Sequence, residues 1–403
     1  MDVGVTISSP QSRTPVLVLG SPHRTTLGVI RALARAGIPQ FAVGAGTSFV
    51  SYCRWHRRLH DDFENDPNAD SLSEFLGRLS VERMVLIPCS DAWVAAVGRL
   101  ERTLAARFPA SIPPQESLDI CLDKSRFANM MARLGLPHPR TISIGAFDDV
   151  RTLWDSGFYN PFLKPRNSLA FSTRFQKKAL LVANADEAIM WIREAGQHGI
   201  EFVLQEYIPG PATNHYYVDG FIDRMGTVCA RFARRCVRLS DDLFGVSSCM
   251  VSIPLNEAKA PIEILDQLLP ALRYRGVFNA QFKYDERDGL FKLLDLNPRA
   301  WGGVSLAVSC GVNVIDMAYQ DALGRPVGQI TSYPVGRYWV NAALDNAVCW
   351  RLFREGRLTV RAWLRTRIGA VPAIFRWDDP LPAIVYFVQA TWREIRRRLR
   401  GTP

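Results

Sequence analysis

Residues 277–297, VFNAQFKYDERDGLFKLLDLN, form two alternating apolar and polar runs joined by a short polar turn, and they restrict this chain more than any other stretch. Period-two alternation on both sides of Arg287-Asp288-Gly289 predicts an antiparallel hairpin with Gly289 in the left-handed position that three-residue loops favour. Pairing Glu286 with Leu290 sets Gln281 opposite Asp295 and Asn279 opposite Asn297. Side chains alternate along a strand. Asn279, Gln281, Lys283, Leu293, Asp295 and Asn297 therefore share one face, and Phe282, Tyr284, Leu294 and Leu296 a core face. Pro298 ends the ladder, Arg299 follows where the strand opens, and Gly302 and Gly303 leave room for a ligand beside the backbone. One carboxylate and several amide oxygens within about 5 Å of each other suit a hard cation whose shell is completed by phosphates and waters. Taken alone, the pattern also fits the solvated face of an amphipathic hairpin.

The hairpin sits late in a chain of 403 residues, long enough for two or three domains. "PVLVLG" (15–20), "PQFAVGAG" and "VERMVLIPCSD" (81–91) read as strands. They alternate with helical patterns over 25–38 and 92–108, which predicts a small open parallel sheet up to about residue 115. Its first turn, "GSPHRTTLG", is not GxGxxG, and GxxxxGK[ST] occurs nowhere, so a dinucleotide or P-loop fingerprint is absent. An anion at that helix N-terminus is left open. In "CLDKSRFANMMARLGLPHPRT" (121–141), Phe127, Met130, Met131 and Leu134 recur at helical spacing, Gly135 ends the helix, and two prolines enforce an extended exit. "PFLKP" (161–165) and "EFVLQEYIPG" (201–210) read as strands, 186–196 as an amphipathic helix, "NHYYVDGFID" with "VCARFARRCVRL" as a hairpin, and about 260–275 as a helix.

Composition narrows the partners. With 48% hydrophobic and 22% charged residues the chain is globular. No apolar run reaches the roughly 18 residues that span a membrane. "MDVGVTISSPQSRTP" lacks a signal pattern, so a cytoplasmic location is expected. Eight scattered cysteines without a CxxC pair, and no His at metal-ligand spacing, predict reduced thiols. Of 49 basic residues only seven are Lys, and the net charge is +10. The charge favours anionic ligands in general rather than nucleic acid, and the scarcity of Lys gives each Lys position weight.

Five segments in order resemble the ATP-grasp superfamily. They are "DKSRFANMMARLGLPHPRT", "PFLKP", "LQEYIPG", "NAQFKYDERDGLFKLLDLNPRAWGG" and "SCGVNVIDMAYQDALGRP", within about residues 15–325. The resemblance implies an α/β plus α+β fold. Residues 1–115 would be a small parallel α/β domain, and 116–210 a small subdomain with its lid. Residues 211–326 would be a large subdomain with the metal hairpin, and 327–403 a helical, Arg-rich C-terminal extension. It implies ATP and Mg²⁺ (or Mn²⁺) as cofactors and a carboxylate–amine ligase acting through an acyl phosphate. Lys124 and Lys164 match positions that contact phosphates, and Gln205, Glu206, Tyr207 and Ile208 match the adenine hinge. Asn214 and His215 stand near the ribose position, where many relatives carry an acidic residue. Gln281, Asp295 and Asn297 match the metal ligands, and Arg299 the phosphate-directed arginine. The lid, "RNSLAFSTRFQKK" (166–178), departs from the glycine-rich pattern and offers Ser168, Ser172 and Thr173 instead.

Arg clusters suit carboxylates and acyl phosphates. Arg231 and Arg235 share one face of their strand and Arg234 and Arg238 the other. Arg231 or Arg235 is expected to bind the substrate carboxylate unless that face is solvated. The tail "LPAIVYFVQATWREIRRRLRG" (381–401) either packs on the body or lies on an anionic membrane surface. Small carboxylate and amine substrates follow from the resemblance, nucleic acid does not, and a homodimer is left open. Two rival readings remain: a degenerate nucleotide-binding regulatory or scaffold protein, and carboxyphosphate chemistry of the carbamoyl-phosphate type.

Overall fold

The structure, a computed structural model, describes residues 13–44, 46–59, 67–144, 147–154, 157–167, 171, 174–175, 177, 179–241 and 245–399, with backbone alone at 147–149 and 393–399. Ser168, Ser172 and Thr173 of the expected lid lie outside the described residues.

Three sheets organise the chain. β1 (Val16–Leu19), β2 (Gln40–Val43) and β3 (Val85–Pro88) form a parallel sheet in the order β2-β1-β3. The continuous apolar runs VLVL and VLIP suit strands covered on both faces. The helix Arg24–Arg35 follows β1, capped by His23. The helix Asp91–Gly98 follows β3, capped by Ser90, so Asp91 stands at the carboxyl edge of the sheet. The helix expected over 92–108 breaks into Asp91–Gly98 and Arg102–Arg107. A Cβ at Gly98 would lie 2.6 Å from Gln115 Oε1 and 2.7 Å from Leu118 Cδ1, so the glycine admits the helix Gln115–Leu122 at the point of the break.

β4 (Thr141–Ser143), β5 (Phe162–Pro165), β6 (Leu180–Leu181) and β7 (Phe202–Gln205) form an antiparallel sheet in the order β4-β7-β5-β6. The largest sheet contains β8 (His215–Ile222), β9 (Val228–Leu239), β10 (Ser247–Ile253), β11 (Gly276–Asp285), β12 (Leu290–Asn297), β13 (Tyr338–Val340) and β14 (Val371–Pro372), ordered β12-β11-β8-β9-β10-β13-β14. One face of it, with Val218, Ala233, Phe278, Ala280, Phe282, Leu293 and Leu296, packs on the helices Lys259–Ala271 and Lys124–Arg133. Far along the opposite face, Phe221, Phe232 and Val277 join the helices Val304–Ser309 and Val314–Ala322 and the first sheet in one continuous core.

Two of the expected boundaries differ. The large sheet does not end at 326, because β13 pairs with β10 and β14 with β13. The helix Lys124–Arg133 lies under the large sheet, since Phe127, Met130 and Met131 face Phe282 and Leu296 in one cluster. The C-terminal segment is pinned by buried ion pairs. Asp379 binds Arg31 at 2.8 Å, and Asp345 binds Arg238 at 2.8 Å. The final helix, Leu381–Leu399, packs beside Phe49–Tyr52 through Tyr386, whose ring centroid lies 5.1 Å from that of Phe49. Among the described residues, no helix is long and apolar enough to cross a membrane.

Candidate active site

A cleft of about 480 Å³ opens between β5 and β7 on one side and the near half of the large sheet on the other, with the loop before Arg24 closing one end. Its sheet wall is built from two cross-strand rows. Asn297, Asn279 and Asp219 stand in register on β12, β11 and β8, and Asp295, Gln281, Tyr217 and Arg234 on β12, β11, β8 and β9. Hydrogen bonds run along them. Asn297 Nδ2 donates to Asn279 Oδ1 at 3.1 Å, Asn279 Nδ2 to Asp219 Oδ1 at 2.5 Å, and Arg234 Nε to Asp219 Oδ2 at 2.6 Å.

Gln281 faces Asp295 across the ladder, in the register read from the alternation, and Gly289 has φ +72°. The turn is nevertheless one residue longer, because Asp285 rather than Glu286 pairs with Leu290. A bulge between Gln281 and Phe282 absorbs the difference and leaves Leu294 without a partner. It also corrects the face assignment: Leu293 turns into the core, and Leu294 lines the cleft. The Leu294 carbonyl accepts from Lys164 Nζ at 3.4 Å, so the irregularity meets one of the two lysines expected at the phosphates.

Lys124 and Asp295 form a close pair, Nζ to Oδ1 2.5 Å. Burial works against both charges. For Asp295 the pull of Lys124, Lys164 and Arg299 outweighs it, and its pKa lies below the usual carboxylate range. For Lys124 the pull of Asp295 and Asp91 outweighs it, and its pKa is raised. Lys164 has a buried ammonium with Lys124 nearby, and burial brings it down to about 8 despite Asp295. Lys283, 4.9 Å from the Tyr207 ring centroid, is likewise lowered by burial to about 8. Burial, with Lys283 beside it, lowers His215 to about 3, so its ring is neutral, and among the described residues Nε2 has no hydrogen-bond partner.

Lys164, Gln205, Glu206, Tyr207, Ile208, Gln281, Asp295, Asn297 and Arg299 all line this one cleft. Lys124 enters through its contact with Asp295 and also borders a second cavity of about 560 Å³ behind it. The Glu206 carboxylate holds Arg287 of the hairpin turn at 2.6 Å, tying hinge to hairpin. Arg299 is bound by Asp91, Nε to Oδ1 2.6 Å and Nη2 to Oδ2 3.2 Å.

Three expectations are corrected. Arg231 pairs with Asp266 of the helix Lys259–Ala271, and Arg235 Nη1 donates to Tyr216 Oη at 3.2 Å, both on the face of β9 turned away from the cleft. Arg234 takes the cleft position instead. Asn214 is not a lining residue: Nδ2 donates to Glu286 Oε1 at 2.8 Å, and His215 faces the cavity. The glycines Gly302 and Gly303 make room for protein as well as for a ligand, since a Cβ at Gly303 would lie 2.6 Å from Met250 Cε.

Sequence reasoning missed Asp219, Tyr217, Asp91 and Trp301, set His215 beside the ribose position without separating it from Asn214, and gave Arg234 and Lys283 no role. Parity held the missing signal. Asn279 pairs with Asp219 and Asp219 with Phe232, so Arg234, two residues on from Phe232, shares the face of Asn279.

The comparisons bear on the fold. The family described as "ATP-grasp in the biosynthetic pathway with Ter operon" matches residues 201–340. The biotin carboxylase domain of Hydrogenobacter thermophilus 2-oxoglutarate carboxylase, solved with MgADP, ADP and bicarbonate, superposes with TM-score 0.63 at 16% identity, covering 81% of this chain and 74% of that one. The chain has the ATP-grasp fold. It is 24% identical over 275 residues to the D-aspartate ligase of Enterococcus faecium, covering 64% of each chain. It is also 24% identical over 231 residues to the carbamoyl phosphate synthase large chain of Thermomicrobium roseum, 56% of this chain and 20% of that one. The chain thus spans less than two thirds of either curated relative.

Proposed function

We propose that this ATP-grasp chain is an ATP- and Mg²⁺-dependent carboxylate–amine ligase that forms an amide or peptide-like bond through an acyl phosphate and releases ADP and phosphate. The observation that carries it is the gathering of Lys124, Lys164, Lys283 and Arg299 around the Asp295–Gln281 pair, facing the hinge Gln205–Ile208 across the cleft. The donor set fits a cation that brings its own anionic ligands. It has one carboxylate, Asp295, with amide oxygens from Gln281 and Asn297, and no described group of three or more His, Cys, Asp or Glu side chains converges to hold a metal unaided. Bound there, Mg-ATP supplies the phosphoryl group that turns a carboxylate into an acyl phosphate.

The chain's own residues position and neutralise. The hinge backbone at Glu206 and Ile208 and the Tyr207 ring suit the base, and the lysines suit the phosphate oxygens. Arg299, fixed by Asp91, suits the oxygens nearest the acceptor. A protein nucleophile has no support. All eight cysteines are buried, burial pushes Cys89 and Cys121 up to about 12, and neutral His215 has no acidic partner. The named relatives include a D-aspartate ligase, which favours this reading over a scaffold role.

Incubation with Mg-ATP and a panel of amino acids and carboxylic acids tests the proposal through ADP and phosphate release. AMP with pyrophosphate rejects the acyl-phosphate route, and binding without turnover favours the regulatory module. ADP formed with bicarbonate and ammonia alone favours the carbamoyl-phosphate chemistry. Asp295→Ala is expected to cut turnover at least a hundredfold while leaving the melting temperature within a few degrees; full activity refutes the metal assignment. A cytoplasmic location and a homodimer go with this reading. So does weak contact of the last helix with anionic lipid, since Leu381, Ile384, Val388 and Trp392 are exposed ahead of an Arg-rich end. Failure to sediment with phosphatidylglycerol vesicles removes that last part.

A further inference from the structure

Beyond the polar rows, the cleft ends where the loop after β1 meets the segment after β12. His23, Arg24, Met250, Trp301 and Trp339 wall this end around the Gly302–Gly303 backbone. A Cβ at Gly302 would stand 3.3 Å from His23 Cε1 and 3.9 Å from Arg24 Nε, and one at Gly303 would stand 3.7 Å from Trp301 Nε1. Two buried N–H groups therefore flank the same two glycines, and among the described residues neither has a hydrogen-bond partner: Arg24 Nε, and Nε1 of Trp301, a residue 3% exposed. Unpaired buried donors are rare and costly, and they call for an acceptor.

Arg24 also differs from the other cleft arginines. Arg234 is neutralised by Asp219 and Arg299 by Asp91, whereas among the described residues Arg24 has no carboxylate partner. Its guanidinium lies 5.9 Å from the Trp339 ring centroid, and burial holds its pKa below the usual arginine value. Arg24 is half-buried with its Nε fully covered, and such an uncompensated cation attracts an anion. Beside it the Trp301 and Trp339 rings and the Met250 thioether, with the paired Arg234 at their edge, receive an apolar body.

We propose that this chamber is a substrate subsite for a monocarboxylate with an apolar or aromatic body, its carboxylate seated between Arg24 and Trp301 Nε1 and its body against Trp339 and Met250. What becomes of the bound acid rests on the ligase reading, but its binding does not. Arg234 touches Met250 and lies 5.7 Å from the Trp301 ring centroid, but Asp219 already neutralises it, so a second carboxylate finds no free cation there and dicarboxylates are disfavoured.

Calorimetric titration of the full chain with 3-phenylpropionate, 3-phenylpropanol and D-aspartate, without nucleotide, tests this. The acid is expected to bind, and the alcohol and D-aspartate at least tenfold more weakly. Arg24→Met is expected to weaken the acid at least tenfold. Trp301→Phe, which keeps a ring and removes the N–H, is expected to weaken it severalfold. Both variants should bind Mg-ATP as the parent does. No binding of 3-phenylpropionate at millimolar concentration overturns the proposal, as does unchanged affinity in both variants or a preference for D-aspartate. Loss of Mg-ATP binding in the parent, with the acid behaving as expected, would sink the ligase reading and leave this subsite standing.

Discussion

Lys164 and Lys283 stand on either side of the cleft, and both are brought to about 8 by burial, against an ordinary value of 10.5. Each therefore loses its proton within the range where enzymes are assayed. If protonated lysine holds phosphate, kcat/KM for ATP falls as pH rises through about 8, because that quantity reports the free protein's groups. Lys164→Arg, which stays charged, should move the falling limb at least one pH unit upward; an unmoved limb removes Lys164 from phosphate binding. The stability sign is opposite to that of a lysine gaining a partner. Below about 8 both folded and unfolded states carry the proton, and burial costs the folded one in full. Between about 8 and 10.5 the unfolded state binds more protons, so Lys164 and Lys283 contribute stability that rises with pH. Of these residues, Lys164 was legible because lysine is scarce and "PFLKP" is distinctive. Asp219 was not, because a lone polar residue in an apolar strand does not announce which face it takes.

The hairpin β11–β12 was read correctly at one end and wrongly at the other. Alternation fixes Asn279–Asn297 and Gln281–Asp295, and the bulge at Leu294 then shifts every pair nearer the turn. Alternation cannot reveal a bulge, because Leu293 and Leu294 are chemically the same and either can face the core. Next to it, β8 and β9 are joined on the cleft face by Asp219 and Arg234, both almost fully buried. Removing one partner strands the other. Asp219→Ala is expected to destabilise by about 3–5 kcal/mol in urea unfolding. Asp219→Ala with Arg234→Met should recover much of that loss. A double variant no more stable than the single one would show that Arg234 packs there for reasons other than charge.

At the scale of the whole molecule, order along the chain was more legible than its divisions. Strand–helix alternation marks the first sheet, but nothing local in "GRYWVNAALD" shows that Tyr338–Val340 will pair with a strand ninety residues earlier. A chain truncated after residue 326 loses β13, β14 and the partners of Arg31 and Arg238. It is expected to be insoluble or to melt far below the full chain; a soluble, cooperatively melting product would make the extension a separate unit.

The Lys124–Asp295 contact has a further consequence for the order of events. Without nucleotide, the carboxylate best placed for a divalent ion is already satisfied by an ammonium 2.5 Å away. On the ligase reading, free metal would gain little by competing for it, whereas phosphate oxygens would offer Lys124 a replacement partner. Metal and nucleotide would become each other's condition for entry, a coupling that must be equal in both directions. Titration with MgCl₂ alone should give no saturable heat at millimolar concentration. The same titration in the presence of ATP should saturate, and Lys124→Met should let the metal bind by itself. The protein would thus recognise a complex and remain indifferent to its parts.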